Sequence, residues 1–173
     1  ADVRNVMIMG GSRIAVRTAQ YVPDYMQVKI VDNDINRCNR LTELLDDKTM
    51  IINGDGRDMD LLIEEGLKNT EAFVALTGNS ETNILACLAA KRMGVEKTVA
   101  EVENIDYIGM AESLDIGTYL PNDVGCGCIQ CEMPDFCQCR CSGIHRAGRC
   151  QDYQTFYQRP WPSERNHYRR YDS

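Results

Sequence analysis

The stretch from Val3 to Ala15, VRNVMIMGGSRIA, decides the fold of this chain. An apolar run of strand length ends there in Gly10 and Gly11, and a segment with helix periodicity follows immediately. A buried strand that turns sharply into a helix leaves backbone N–H groups pointing out of the helix N-terminus, where they and the helix dipole form an anion site suited to a pyrophosphate. The usual fingerprint, G-x-G-x-x-G/A, falls on Gly10, Ser12 and Ala15, so a serine that crowds the phosphate replaces the middle glycine. A tight turn without a ligand is the alternative interpretation of this loop taken alone.

The chain from residue 14 to residue 119 alternates predicted helices and strands. Strands are predicted over 28–31, 49–52, 72–76, 97–102 and 116–119, and helices over 14–22, 35–45, around 61–65, 81–93 and 105–114. Asp34 and Ser80 are predicted to cap the helices that follow them, and Gly66 and Gly94 to end helices. Because strands that alternate with helices through short loops form a parallel sheet covered on both faces, we expect an α/β fold, a Rossmann-like doubly wound parallel sheet.

Four polar loops follow the carboxyl ends of predicted strands, at Gly10, Asp32, Asp55 and Thr77. In a parallel sheet these ends meet at one edge, and ligands bind in the crevice outside it. Asp32 follows the glycine loop by roughly 20 residues, the spacing at which an acid holds a ribose hydroxyl pair. The four loops together indicate a binding crevice more strongly than the glycine loop alone.

Composition excludes several classes of function. The net charge of -7 gives no support to nucleic-acid binding as a bulk electrostatic effect. No apolar run reaches the length of a membrane span, and nothing at the start is typical of a signal peptide. Only Cys38 and Cys87 lie before residue 120, as in a reduced cytosolic domain, so we expect a cytoplasmic location.

An enzymatic role has little support in the first 118 residues. A dehydrogenase of this fold needs a substrate domain and a proton-transfer residue near the nicotinamide. The two histidines, His145 and His167, lie in the tail, so no Ser–His or Cys–His nucleophile pair is available before it. We therefore expect no catalytic residue and no metal ligand, with an NAD-dependent oxidoreductase fragment as the alternative.

Several segments resemble the nucleotide-binding domain of the RCK/KTN family, of TrkA-N type, over residues 3–118. They are MGGSRIA (9–15), KIVDND (29–34), INGDGRD (52–58), FVALTGNSETNILACLAAKRMGV (73–95) and ENIDYIGMAESLDIG (103–117). The resemblance implies a regulatory domain, not an enzyme, that binds NAD or NADH, or ATP/ADP in some members. It also implies a homo-oligomer of such domains at the inner face of the plasma membrane, where it controls a TrkH-like potassium transporter subunit by conformational change.

The same resemblance implies roles for individual residues. It assigns the phosphate loop to five consecutive residues, Gly10, Gly11, Ser12, Arg13 and Ile14. It places Asp32 at the adenosine ribose, Asp55 beside the adenine, Thr77 and Gly78 on the phosphate side, and Glu81 at the start of the next helix. The family often has an arginine facing the phosphates in the fifth strand, where this chain has Glu101; a carboxylate there would repel a terminal phosphate and favours a dinucleotide over a triphosphate.

The tail, residues 119–173, differs in kind from the first 118 residues. It holds seven of the nine cysteines, Cys126, Cys128, Cys131, Cys137, Cys139, Cys141 and Cys150. Clustered thiolates bind zinc, yet the C-x-C-x-x-C and C-x-C-x-C spacing is not a standard ligand arrangement. A disulfide knot conflicts with a cytosolic domain, and the closing RPWPSERNHYRRYDS is more typical of a disordered terminus than of a nucleic-acid tail.

A frameshift is the interpretation that we favour for this tail. Read one nucleotide later, with permissible codons, residues 119–122 become IYQM, 138–147 become NADVAEFIVQ and 156–162 become FIKDLGL. These strings resemble the connecting helix and the C-terminal domain of TrkA-type proteins. We therefore expect residues 119–173 to be a non-native tail, irregular and disordered, produced by a deletion with a frameshift after Gly117 or Thr118.

The frameshift hypothesis makes a prediction about the encoding DNA. Its frame shifted by one nucleotide should stay open across the tail and encode a TrkA-like C-terminal sequence. Sequencing the genomic locus measures this directly. A shifted frame full of stop codons, or stoichiometric zinc held by four thiolates in the purified protein, would contradict the hypothesis.

Overall fold

The structure, a computed structural model, describes residues 3–104 and 106–119. Within them six strands form one sheet in which all five neighbouring pairs are parallel. The strands are β1 (Asn5–Met9), β2 (Gln27–Asp32), β3 (Thr49–Asn53), β4 (Ala72–Ala75), β5 (Lys97–Glu101) and β6 (Gly117–Tyr119). The helices are α1 (Arg13–Tyr21), α2 (Ile35–Leu44), α3 (Met59–Glu64), α4 (Ser80–Arg92) and α5 (Asp106–Ser113), with a short 3-10 helix at Leu67–Asn69. Tyr119, the first residue of the expected non-native tail, is described as the end of β6. The rest of that tail, residues 120–173, and with it the expectation of a non-native segment, lies outside the described residues.

The strand order β3-β2-β1-β4-β5-β6 is that of a doubly wound sheet. Alternate side chains of β1 enter the two cores: Val6 and Ile8 pack with α1 and α2 on one face. Met7 and Met9 pack with residues of α3, α4 and α5 on the other face. The predicted α/β fold is confirmed, and the direction of the chain along the sheet reverses between β1 and β4.

Helix ends follow local side-chain chemistry. The Asp34 carboxylate accepts the backbone N–H groups of Asn36 and Arg37, so it caps α2 as predicted. The predicted cap at Ser80 is wrong: Asn79 caps α4 by accepting the N–H of Thr82 at 2.7 Å. Ser80 is the first residue of α4, and its hydroxyl oxygen instead accepts the N–H of Glu103 at 3.0 Å. No helix in the described ranges is both long enough and apolar enough to cross a bilayer.

Gly10 fixes the junction between β1 and β4. Its φ of +99° lies in the left-handed region, and its N–H donates to the carbonyl of Val31 at 2.9 Å. A Cβ at this position would lie 2.7 Å from the carbonyl oxygen of Leu76 and 2.9 Å from its carbon. Both atoms belong to the backbone and cannot swing away, so only glycine lets the loop after β1 pass this close to the end of β4.

We expect Gly10→Ala to lower the free energy of unfolding by about 2–4 kcal/mol, because it adds a backbone clash to the strain of a positive φ. Gly94→Ala is the matched control, since Gly94 has the same φ of +99° and nothing lies within 4 Å of its Cβ position. The control should lose only about 1 kcal/mol. Urea unfolding of the full chain under reducing conditions measures both, and equal losses would contradict the packing argument.

Candidate functional site

A cleft of about 520 Å³ opens at the carboxyl ends of the first four strands. This volume falls within the range of small-molecule sites. The loops after β1, β2, β3 and β4 all contribute to its wall, which is the convergence that the sequence predicts. The lining residues are Met9, Gly10, Ser12, Val31, Asp32, Asn33, Arg37, Asp55, Gly56, Arg57, Leu76, Thr77, Gly78, Asn79 and Thr82.

Six of the ten predicted site residues line this cleft, namely Gly10, Ser12, Asp32, Asp55, Thr77 and Gly78. The other four, Gly11, Arg13, Ile14 and Glu81, are not among the residues that line it. The carboxylate of Glu81 instead accepts a hydrogen bond from the hydroxyl of Tyr107, which lowers the pKa of Glu81. The roles predicted for the ten residues toward a ligand stay predictions.

Asp32 is the buried acid of the cleft, with 4% of its surface exposed. Its Oδ2 accepts the N–H of Gly11 at 2.7 Å and lies 3.0 Å from Nη1 of Arg37. Its Oδ1 accepts the N–H of Asp34 at 2.8 Å. The carboxylate therefore links the loop after β1 to the loop after β2.

Ser12 stands where the fingerprint has its middle glycine. Its side chain caps α1 by accepting the N–H of Ala15 at 3.3 Å, so the hydroxyl satisfies one N–H of the first turn. Helix α1 has no acidic residue in its own first turn, and the carboxylate nearest its N-terminus along the described hydrogen bonds is that of Asp32, which accepts the N–H of Gly11. Ser12 thus lines the cleft and caps α1 at the same time.

Asp55 and Arg57 form a charged pair on the cleft wall. The guanidinium of Arg57 lies 2.8 Å from Oδ2 and 3.0 Å from Oδ1 of Asp55. The hydrogen bond from Arg57 lowers the pKa of Asp55, so this carboxylate stays ionised at neutral pH. The cleft therefore carries two carboxylates, each paired with an arginine of the following loop or helix.

Sequence reasoning missed Asn83, which organises the other side of the cleft. Asn83 lies fully buried in α4, and its Oδ1 accepts the N–H of Thr77 at 3.1 Å and the hydroxyl of Thr77 at 2.6 Å. Its Nδ2 donates to the carbonyl of Thr77 at 2.8 Å and to that of Glu101 at 2.9 Å. A polar amide on the sheet-facing side of a helix is the signal that could have identified it, because buried amides need partners.

Glu101 ends β5 and is not among the described residues that line the cleft. One carboxylate oxygen, Oε2, is buried without a hydrogen-bond partner. Burial raises the pKa of Glu101 to about 7, and the charge of Glu103 adds to the rise. Because the pKa of Glu101 is raised, this side chain would repel a terminal phosphate less than an ordinary carboxylate would.

The raised pKa of Glu101 predicts a dependence of stability on pH. Between the ordinary value of 4.5 and about 7 the folded chain holds more protons than the unfolded chain, so the free energy of unfolding falls as pH rises through this window. Glu101→Gln removes this contribution. Relative to wild type the variant should therefore gain stability from pH 5 to pH 8, on the order of 1 kcal/mol after solvent screening.

Urea unfolding of both proteins across that pH range measures the difference. Glu112→Gln is the control, because Glu112 is exposed on α5 and its replacement removes one carboxylate as well. Parallel pH profiles of wild type and Glu101→Gln would contradict the burial argument.

The family model for the TrkA-N domain matches residues 6–120. The chain is 36% identical over 115 residues to the Trk system potassium uptake protein TrkA of Halomonas elongata, covering 66% of this chain and 25% of that protein. It is also 36% identical over 109 residues to the protein of the same name from Haemophilus influenzae, covering 63% and 24%. The chain thus spans about a quarter of the length of these curated relatives.

Two solved structures share the fold. The TrkA-N domain of the inner membrane protein ybaL from Escherichia coli aligns with a TM-score of 0.59 at 9% identity, over 69% of this chain and 88% of that one. The GsuK channel bound to NAD aligns with a TM-score of 0.55 at 14% identity, over 69% and 21%. The family model, which covers more than half of the residues, decides the assignment: this chain belongs to the TrkA-N domain family, and it is homologous to the Trk system potassium uptake proteins.

Proposed function

We propose that residues 1–118 form a cytoplasmic regulatory domain of a Trk-type potassium transport system that binds NAD or NADH in the cleft. The observation that carries this proposal is the position of Asp32, a buried acid at the end of β2 whose Oδ2 accepts the N–H of Gly11 in the glycine loop. Such an acid beside such a loop is the arrangement that holds a ribose next to a pyrophosphate. The similarity to potassium uptake proteins supports the regulatory part of the proposal.

The residues of the cleft fit a dinucleotide. Gly10 lines the cleft and leaves no room for a Cβ against Leu76, and the N-terminus of α1 supplies N–H groups and a favourable dipole. The pyrophosphate would lie against the loop of Gly10, Gly11, Ser12, Arg13 and Ile14, of which Gly10 and Ser12 line the cleft. Asp32 would hold the adenosine ribose, Asp55 would lie by the adenine, and Thr77 and Gly78 would lie on the phosphate side.

ATP or ADP is the alternative ligand, because Asp32 and the glycine loop would bind the adenosine diphosphate group that all these nucleotides share. Because burial raises the pKa of Glu101, this side chain opposes a terminal phosphate less than an ordinary carboxylate would. The GsuK channel, which shares the fold and was solved bound to NAD, supports the dinucleotide. Titration with both ligand types decides between them.

In this proposal the domain acts by a ligand-dependent shift between conformations, and not by catalysis. Nucleotide in the cleft would bias how neighbouring domains of a homo-oligomer sit, and a membrane potassium transporter subunit would respond. An NAD-dependent oxidoreductase fragment is the competing function. Residues 1–118 contain no histidine to transfer a proton to a substrate, which favours regulation.

We expect the full chain to bind NADH in a calorimetric titration, and Asp32→Asn to weaken that binding at least about tenfold, the loss typical of a charged hydrogen-bond partner. Asp24→Asn is the matched control, because Asp24 is exposed and pairs with Lys48, away from the cleft. Circular dichroism checks that each variant is folded. Unchanged NADH affinity in Asp32→Asn would contradict the proposed site, and steady turnover of NADH with a carbonyl substrate would contradict the regulatory function.

A further inference from the structure

The acid proposed to hold a ribose is covered in this structure. The side chain of Asp32 is only 2% exposed, although the residue lies in the cleft wall. A ribose hydroxyl must come within about 3 Å of a carboxylate oxygen to donate a hydrogen bond. Some group that now covers Asp32 therefore has to move before a sugar can reach it.

The hydrogen bonds of Asp32 show which group can move. A carboxylate offers about four acceptor positions, and three are occupied here. Two of the donors are the backbone N–H groups of Gly11 and Asp34, which are fixed by the loops that carry them. The third is the guanidinium of Arg37, at 3.0 Å, and it is the one side-chain donor to Asp32 among the described hydrogen bonds.

Arg37 is placed to leave. It lies in the first turn of α2, lines the cleft and has 43% of its side chain exposed, so water can solvate the guanidinium when it leaves Asp32. Its Nη2 also lies 3.8 Å from the carboxylate of Asp34, a second anion nearby. A Cβ on Gly11 would lie 3.3 Å from Cδ of Arg37, so the stem of the arginine crosses the point where the glycine loop meets Asp32.

We propose that Arg37 competes with a ribose for Asp32: the guanidinium that contacts the carboxylate in this structure is replaced there by the hydroxyl pair of a bound ribose. This inference rests on the proposed function and names a residue that sets the strength of ribose recognition at that site. Arg37 is a specificity-determining residue in this arrangement: each diol-bearing ligand must displace an internal cation, and a ligand without a diol does not.

The test compares wild type with Arg37→Met, using ADP and 2′,3′-dideoxy-ADP as probes together with NADH. Removing the charge of Arg37 should weaken the binding of every diphosphate. The change in any single affinity therefore combines this effect with the loss of competition for Asp32. The two adenosine probes carry the same charge, and the ratio of their dissociation constants cancels it. Lys48→Met is the control, since it removes one cation from an exposed pair with Asp24 outside the cleft.

The preference for ADP over dideoxy-ADP should rise about two- to fivefold in Arg37→Met, the factor that corresponds to the loss of one half-exposed ion pair. It should not change in Lys48→Met. A measurable affinity for ADP or NADH only in Arg37→Met would support the same exchange. An unchanged or reduced preference, with wild type binding NADH, would overturn the role of Arg37 and leave the proposed function standing. The absence of binding in both proteins would overturn both.

Discussion

The hydrogen bond from the N–H of Gly11 to Oδ2 of Asp32, 2.7 Å long and buried, is the contact on which the site depends. It joins the loop after β1 to the end of β2, and helix α1 lies between these two segments in the sequence. A charge-assisted bond of this kind in a buried position is roughly twice as strong as a neutral one. The loop after β1 and the loop after β2 are therefore held in a fixed relation at the cleft wall.

The sheet supplies the second constraint, the close approach of β1 and β4. The N–H of Leu76 donates to the carbonyl of Met9 at 2.8 Å, and the Cβ of any residue other than glycine at position 10 would collide with Leu76. The cleft opens where the chain reverses its direction along the sheet, because α1 leaves from one side of this junction and α4 from the other. The fold thus creates the site by topology, and the glycine loop makes the backbone accessible within it.

Sequence patterns predicted the sheet and the loops well because both depend on periodicity and on residues adjacent to strand ends. Gly10, Asp32, Asp55 and Thr77 each follow a strand, so a parallel sheet alone brings them to one edge. Arg37 and Asn83 were not predicted, although both contact these residues. Both lie inside helices. Periodicity indicates which side of a helix faces the sheet, but it does not indicate which polar group a side chain on that helix contacts.

The error at Ser80 has the same origin. Asn79 and Ser80 are both good capping residues, and sequence preference does not separate them. The structure separates them through a distant contact, since the hydroxyl of Ser80 accepts the N–H of Glu103 after β5. Because Ser80 makes this tertiary contact, Asn79 provides the cap of α4.

Asn83 and Ser80 together give the proposed regulation a physical route away from the cleft. Asn83 holds both backbone polar groups of Thr77 in the cleft wall and also the carbonyl of Glu101, and Ser80 holds the next segment at Glu103. A displacement of the Thr77 loop would have to break these hydrogen bonds or move the end of β5 with it. Breaking them would leave buried polar groups without partners, which costs free energy. Joint movement of the Thr77 loop and the end of β5 therefore costs less free energy. Under the proposed function, Asn83 and Ser80 would therefore transmit a shift of the Thr77 loop to the end of β5 and to Glu103.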